Sequence, residues 1–409
     1  MDRAEELMRR ASELAERGAG RVSPNPLVGA VIVKEGRVIG EGYHANYGGL
    51  HAERSALLNC RERGEDPAGA EMFVTLEPCC HQGKQPPCTE AILEAGIGRV
   101  YVGSGDPNPK VAGKGIRILR ERGVQVTEHV LEDACRKQNE VFFHYITTGL
   151  PFGVLKYAMT LDGKTACFTG ESRWVTGEAA RAHVHGMRNR YTAILAGIGT
   201  VLTDDPLLTC RTEGGRNPVR VICDTRLRIP LTSRIVTTAG SVPTIIACGA
   251  GSCGPGDCEA GETRQGDAGT GGSNPNGSNP DGSGARDREK RERLLQAGCH
   301  ILDCSTDETG SVSIRDLMRR LGADGAGIDS VLIEGGSSVA WSALRDGAVQ
   351  KVLAYVSPKL FGGRTSPTPV GGEGVPVPGA AWKLEDLKIR SLGEDLLLEG
   401  GIQKPCSQD

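Results

Sequence analysis

Four residues constrain this chain more than any others: His51, Glu53, Cys79 after a proline, and Cys88. One imidazole and two thiolates can hold a zinc ion and leave its fourth position for water. A carboxylate two residues after the histidine does not join the metal easily but is free to carry protons. This is the equipment for hydrolytic removal of an amino group from a nitrogen heterocycle. It also demands that three distant segments meet at helix starts, where backbone N–H dipoles favour thiolates.

The local pattern meets that demand. Met72–Leu76 reads as a buried strand running into Glu77-Pro78-Cys79, and Cys88 precedes a helix over Thr89–Ala95. Another helix is expected from near His51 to before Gly64. Residues two apart in a regular helix point to opposite sides. His51 and Glu53 therefore converge only if His51 sits at the helix entrance, which Gly48-Gly49-Leu50 makes feasible. Zinc deaminases generally carry Cys-x-x-Cys, whereas eight residues separate Cys79 from Cys88. A structural zinc knuckle, or two core cysteines, are the plainer alternatives. Cys80 and His81 crowd the ligand site and could substitute in it, although Cys80 is expected to point away from Cys79. His44 reads as structural.

Elsewhere the first part alternates. Asp2–Arg17 is a helix with Leu7, Met8, Ala11, Leu14 and Ala15 on one face. Leu27–Val33 and Val38–Glu41 form a hairpin around Glu35-Gly36. Arg99–Val102 and Val124–Thr127 are strands, Gly115–Arg122 a helix, and Glu132–Thr147 a final helix. The alternation implies a sheet covered by helices on both faces, an α/β class. With 409 residues and roughly 150 per domain, two or three domains are expected. Thr148-Gly149-Leu150-Pro151 is a natural joint, giving domains over 1–148 and 152–402. Strand candidates of the second are 154–157, 193–196, 219–223, 244–247, 330–333 and 351–356. Between Gly249 and Asp287 no Ile, Leu, Val, Met, Phe, Tyr or Trp occurs. Such a segment buries too little apolar surface to offset its ordering entropy, so 249–287 reads as a disordered insertion. Cys253 and Cys258 inside it could bind metal, but with no partner ligands nearby they read as loose thiols.

A formal net charge of -3 and 4% aromatics argue against a nucleic-acid partner, which calls for a basic surface and stacking rings. No apolar run approaches the ~20 residues of a membrane span. The N-terminal stretch lacks the apolar core of a signal peptide. The 14 cysteines are scattered through a long chain, which suits a reduced, cytoplasmic setting with a few metal ligands.

Longer motifs sharpen this. Pro24-Asn25-Pro26-Leu27-Val28-Gly29, His51-Ala52-Glu53, the run Glu77 to Cys88, and Asp106 to Gly115 together resemble the bifunctional deaminase/reductase family of riboflavin biosynthesis. That family carries the long spacer between its two cysteines, and often has serine where this chain has Cys80. The resemblance implies a cytidine-deaminase-like α/β/α domain in which His51, Cys79 and Cys88 hold Zn2+ and Glu53 carries protons. Asn25 would present its amide to the substrate, or serve only a turn. Lys110 and Lys114 flank a glycine-rich helix start, either a phosphate seat or a solvated surface.

The second half is similar to the family's reductase, whose fold is like dihydrofolate reductase. The segments are Lys156–Lys164, Gly170–Thr176, Gly197–Pro206 and Ile333–Ser338; none is a dinucleotide fingerprint of the GxGxxG kind. The likeness implies NADPH contacts from Ala158, Trp174, Thr200, Asp204, Thr225, Gly336, Ser337, Ser338, Val339, Ala340, Trp341 and Ser342. It implies substrate contacts from Ser172, Arg188, Leu208, Arg211 and Glu334, with Lys156 reaching the reacting centre. Arg188 and Arg211 suit a sugar phosphate, because a guanidinium can grip two oxygens. Trp174 could instead pack in a core. The expected substrate is a small phosphoribosylaminopyrimidine, deaminated and then reduced from ribosyl to ribityl. Homo-oligomers are implied by the resemblance, with no interface legible. A deaminase of tRNA or single strands, and a zinc-stabilised binding module, are the rival readings.

Overall fold

The apolar runs sort into two sheets. The structure, a computed structural model, describes residues 2–249, 283–323 and 327–403. Most of the glycine-rich segment, with Cys253 and Cys258, lies outside the described residues; at its edges, where disorder was expected, Gly249 ends a strand and the residues from Ser283 open a helix. Among the described residues no helix is long and apolar enough to cross a membrane.

The first sheet is built by α1 (Arg3–Glu16), β1 (Gly29–Lys34), β2 (Arg37–Tyr43), α2 (Ala52–Glu62), β3 (Glu71–Leu76), α3 (Cys88–Glu94), β4 (Arg99–Ser104), α4 (Lys114–Glu121), β5 (Gln125–Thr127), α5 (Glu132–Gln138) and α6 (Glu140–Thr148). Its order is β2-β1-β3-β4-β5, with β3, β4 and β5 parallel and the β1 pairings antiparallel. The apolar stripe of α1 (Met8, Ala11, Leu14) packs on Val31, Val33 and Phe73. On the other face α2 lies against β2 through Gly42, where an added Cβ would stand 2.2 Å from the Ala56 nitrogen. That close approach sets the height of the α2 entrance above the sheet.

The second sheet follows from β6 (Phe152–Thr160), α7 (Glu178–Arg190), β7 (Ala193–Gly197), α8 (Ile198–Asp204), β8 (Val219–Cys223), α9 (Arg234–Thr237), β9 (Thr244–Gly249), α10 (Ser283–Gln296), β10 (Cys299–Cys304), α11 (Ile314–Ala323), β11 (Ser330–Glu334), α12 (Ser337–Arg345), β12 (Lys351–Ser357), β13 (Leu384–Leu392) and β14 (Asp395–Ile402). Its nine strands run β10-β9-β8-β7-β11-β6-β12-β14-β13. The seven from β10 to β12 are parallel, and β14 and β13 join antiparallel. β7 and β11 are buried along their whole length, as expected of parallel strands covered on both faces.

The two halves touch through specific bonds. Arg216 Nε donates to Gly20 O at 2.8 Å, and Tyr145 donates its hydroxyl to Gly322 O at 3.1 Å. Lys351, 7% exposed, pairs with Glu140 of the first half and with Glu399 at 3.0 Å.

Three features depart from the sequence reading. The expected helix over Glu132–Thr147 divides at Asn139 (φ -103, ψ 21), whose side chain turns away to bond another segment. The β13–β14 hairpin escapes pattern reading because β13 is exposed along nearly its whole length and shows no alternation. β10 escapes it because Ile301 and Leu302 alone interrupt Cys, His and Asp residues.

The Gly42 contact makes a prediction. Gly42→Ala should lift α2 from β2 and cost ~1–3 kcal/mol, the usual penalty of overpacking. Urea unfolding of the full chain, followed by circular dichroism, should show that loss. Unchanged stability would contradict the packing argument.

Candidate functional site

His51 is the N-cap of α2, with extended φ -70 and ψ 160, so it stands outside the regular turn. This resolves the spacing problem. Glu53 is in the first turn and 3% exposed. Cys79 follows β3, and Cys88 opens α3. His51 Nδ1 lies 3.4 Å from Cys79 Sγ and 3.3 Å from Cys88 Sγ. All three donor atoms lie within 4.8 Å of one another, and among the described residues this is the one such cluster. A tetrahedral zinc, with sulfur at ~2.3 Å and nitrogen at ~2.0 Å, sets sulfur and nitrogen about 3.5 Å apart. The donor set fits that ion in both chemistry and spacing. Cys80 is not in the cluster; its thiol faces the Lys110 carbonyl at 3.9 Å.

The electrostatics are uneven. Cys79 receives a hydrogen bond from the Cys88 thiol, and further bonds from His51 and from the Cys88 backbone N–H (3.4 Å). These hold it down at about 4. The same thiol–thiol bond, with burial, pushes Cys88 upward. Burial, followed by the negative charge at Cys79, pushes the Glu53 carboxyl up to about 7. A proton carrier near neutrality has this character.

His44 is 3% exposed and stacks edge-on to His51, with ring centroids 5.4 Å apart. Its Nδ1 bonds Leu50 O at 2.9 Å and its Nε2 meets Asn25 Nδ2 at 3.1 Å. A carbonyl can only accept, so Nδ1 carries the proton and Nε2 accepts from the Asn25 amide. Asn25 is thereby oriented beside the cluster.

Glu77 was not singled out from the sequence. It is 3% exposed and accepts from the backbone N–H groups of Asp106 (3.3 Å), Gly113 (2.9 Å), Gly115 (3.0 Å) and Ile116 (3.3 Å). Its carboxylate therefore fills the start of α4, the place considered above as a phosphate seat. Lys110 and Lys114 beside it are exposed. The signal was present: an acid directly before Pro-Cys, at the end of an apolar strand, must find N–H partners once buried.

In the second sheet, Lys156 on β6 and Glu334 on β11 are directly opposite in register. Arg188, in the last turn of α7, bonds Glu334 through Nε and Nη2, both at 2.8 Å, and Thr209 O through Nη1 at 3.1 Å. Lys156 Nζ is 3.4 Å from the same carboxylate. Burial alone would raise the Glu334 carboxyl, but the charges of Arg188 and Lys156 outweigh it and hold it at about 2. The fork of Arg188 is thus engaged internally, while Arg211 is exposed.

The N-termini of α8 and α12 share a corner. Gly335 and Gly336 have φ +98 and +81, and a Cβ on Gly335 would stand 3.0 Å from Thr200 Oγ1. Thr200 and Gly336 meet there, and Ser337 opens α12 beside Gly371. Val339 packs against Gly197, and Ala340 is 4% exposed in the core. The Trp341 indole packs on Trp382, and Ser338 and Ser342 follow along α12. Trp174 is 60% exposed, not a core residue, and lies 4.6 Å from the Arg181 guanidinium. The Asp204 carbonyl accepts from Arg173 at 3.0 Å, and Thr225 Oγ1 from Val312 N–H at 3.1 Å. The Ser172 carbonyl accepts from Val175 at 3.1 Å. Ala158 packs at the rim of the core beside Tyr355, and Leu208 is 5% exposed with φ 51.

Comparison with known proteins places both halves. The cytidine and deoxycytidylate deaminase zinc-binding region matches residues 1–104, and the RibD C-terminal domain matches 151–251 and 282–398. Riboflavin biosynthesis protein RibD of Actinobacillus pleuropneumoniae is 43% identical over 400 residues, covering 98% of this chain and 96% of that one. The chain belongs to the RibD family. It carries both the deaminase and the reductase domain of that family. Among solved structures, it is similar to the Thermotoga maritima diaminohydroxyphosphoribosylaminopyrimidine deaminase/5-amino-6-(5-phosphoribosylamino)uracil reductase. That chain is 37% identical with a TM-score of 0.76, covering 98% of this chain and 99% of that one. Acinetobacter baumannii RibD, form 1, is 32% identical with a TM-score of 0.78 over the same shares, 98% and 99%.

The buried ion cluster gives a signed pH expectation. Glu334 has its folded value depressed to about 2 from 4.5. Its contribution is therefore full above pH 4.5 and is lost as pH falls toward 2. Arg188→Met leaves the carboxylate with Lys156 alone and should cost about 3–5 kcal/mol at pH 7. Urea unfolding at pH 7 and at pH 4 should show that deficit shrinking on acidification. A deficit that grows or stays constant would contradict the assignment.

Proposed function

We propose that residues 1–148 hydrolyse the 2-amino group of 2,5-diamino-6-(5-phosphoribosylamino)pyrimidin-4-one. Residues 152–402, with an insertion over about 249–287, then reduce the ribosyl side chain to ribityl. The cytoplasm is the proposed setting. His51 through Nδ1, with Cys79 and Cys88, would hold Zn2+, which supplies a water acidified toward neutrality when bound. Glu53 takes a proton from the attacking water and gives it to the ring nitrogen. It then takes the second proton, from the new hydroxyl on the ring carbon, and hands it to the departing amine, so the C–N bond breaks, ammonia leaves and a carbonyl remains. Asn25 offers its amide oxygen to the pyrimidine.

In the second half NADPH supplies hydride for the sugar C1 of the open-chain imine when bound. Thr200 and Gly336 to Ser338 would seat the cofactor at the shared helix corner. Ala158, Trp174, Asp204, Thr225 and Val339 to Ser342 complete the proposed cofactor contacts. Lys156 stands at the carboxyl end of β6, where a parallel sheet receives its ligand. Arg211 grips the phosphate, Ser172 and Leu208 line the substrate, and the Arg188–Glu334 pair holds that wall rigid.

The observation that carries this reading is the meeting of His51 Nδ1 with Cys79 and Cys88 at 3.4 and 3.3 Å beside a buried Glu53. Glu53→Gln tests it. Ammonia release should fall by about 10²–10⁴, the usual worth of a general acid–base. Zinc content by mass spectrometry, and NADPH oxidation with 5-amino-6-(5-phosphoribosylamino)uracil supplied, should stay unchanged. Ammonia release within tenfold of native would overturn the role of Glu53.

A further inference from the structure

Asn139 stands where the last helix of the first half breaks. It is 2% exposed. A buried amide must find partners for both ends, and Asn139 finds them on one distant residue. Its Oδ1 accepts from Leu27 N–H at 2.7 Å, and its Nδ2 donates to Leu27 O at 2.8 Å. The two bonds mimic one rung of an antiparallel ladder. They fix the peptide planes on both sides of Leu27, two residues beyond Asn25.

A plain helix cap is the simpler account of an asparagine at a break. The geometry argues against it. Neither α6 nor its cap receives a hydrogen bond from this side chain. Backbone bonding also runs through the break: Asn139 N–H reaches Arg136 O at 3.1 Å and Phe143 N–H reaches Asn139 O at 2.9 Å. The break tilts one residue out of the helix and aims its amide at the loop carrying Asn25.

Asn25 is then held from both sides. Its own N–H bonds Val22 O at 2.9 Å, and its amide nitrogen bonds His44. Its Oδ1 has no protein donor among the described residues. The next residue after Asn139, Glu140, pairs with Lys351 of the second sheet. The anchor of the loop is therefore itself fixed at the junction of the two halves.

We propose that Asn139 is a positioning residue for deamination: it clamps Leu27 so that the Asn25 amide oxygen faces the pyrimidine. The inference rests on the reading of Asn25 given above. A clamp that acts only through Asn25 adds nothing once Asn25 is gone, so a double-mutant cycle isolates it.

The full chain is used throughout, as Asn25→Ala, Asn139→Ala, the double variant and Asn139→Asp. Asn139→Ala should lower deamination kcat/KM at least tenfold, chiefly through KM for the diaminopyrimidine. Zinc content and NADPH-dependent reduction should hold. In the Asn25→Ala background the same change should cost less than twofold. Asn139→Asp keeps the acceptor for Leu27 N–H but sets oxygen against Leu27 O. It should be intermediate, and it carries the test if Asn139→Ala does not fold. Native deamination in Asn139→Ala beside a defective Asn25→Ala overturns this inference alone. An equal loss in both backgrounds overturns it too, because the effect is then independent of Asn25. Native deamination in Asn25→Ala overturns the Asn25 reading instead.

Discussion

A histidine held one residue outside α2 is the constraint from which the deaminase half follows. In a regular turn, His51 and Glu53 would point apart. At the N-cap the backbone is extended, and the imidazole swings toward the two thiols while the glutamate stays buried in the first turn. The rest of that half serves the same meeting. β3 delivers Cys79, the start of α3 delivers Cys88, and Glu77 stitches the Asp106–Ile116 segment beneath them. Cys79 is held low by the bonds it receives from Cys88 and His51, against the effect of its burial, whereas Glu53 is pushed up by burial and by the charge at Cys79.

The reductase half is governed by a different economy of charge. A carboxylate at the end of a buried parallel strand needs cations, and Glu334 takes two, Arg188 and Lys156. The register of β6 against β11 makes the Lys156 contact unavoidable. The guanidinium of Arg188 is thereby bound to the frame, whereas Arg211 stays exposed.

Much of this was legible in the residues. The His-x-Glu and the two cysteines sit at strand and helix ends that apolar periodicity already marks, and the deaminase and reductase halves follow from the resemblance of the longer motifs to one family. What escaped was long-range or lacked a period. Asn139 broke a helix whose side-chain pattern is continuous, because its partner is Leu27, 112 residues away. Glu77 displaced the imagined phosphate at α4, because sequence spacing does not reveal which side chain reaches a helix start first. The β13–β14 hairpin has no buried stripe to announce it. Sequence also paired Arg188 with Arg211, since nothing local distinguishes a buried guanidinium from an exposed one.

The central claim is a metal centre with three protein donors and one remaining position. X-ray absorption at the zinc edge of the metal-loaded chain tests it most directly. The account predicts two sulfurs at ~2.3 Å, one imidazole nitrogen at ~2.0 Å and one further light atom without an imidazole signature. A third sulfur, from Cys80, or a second imidazole, from His81, would contradict it.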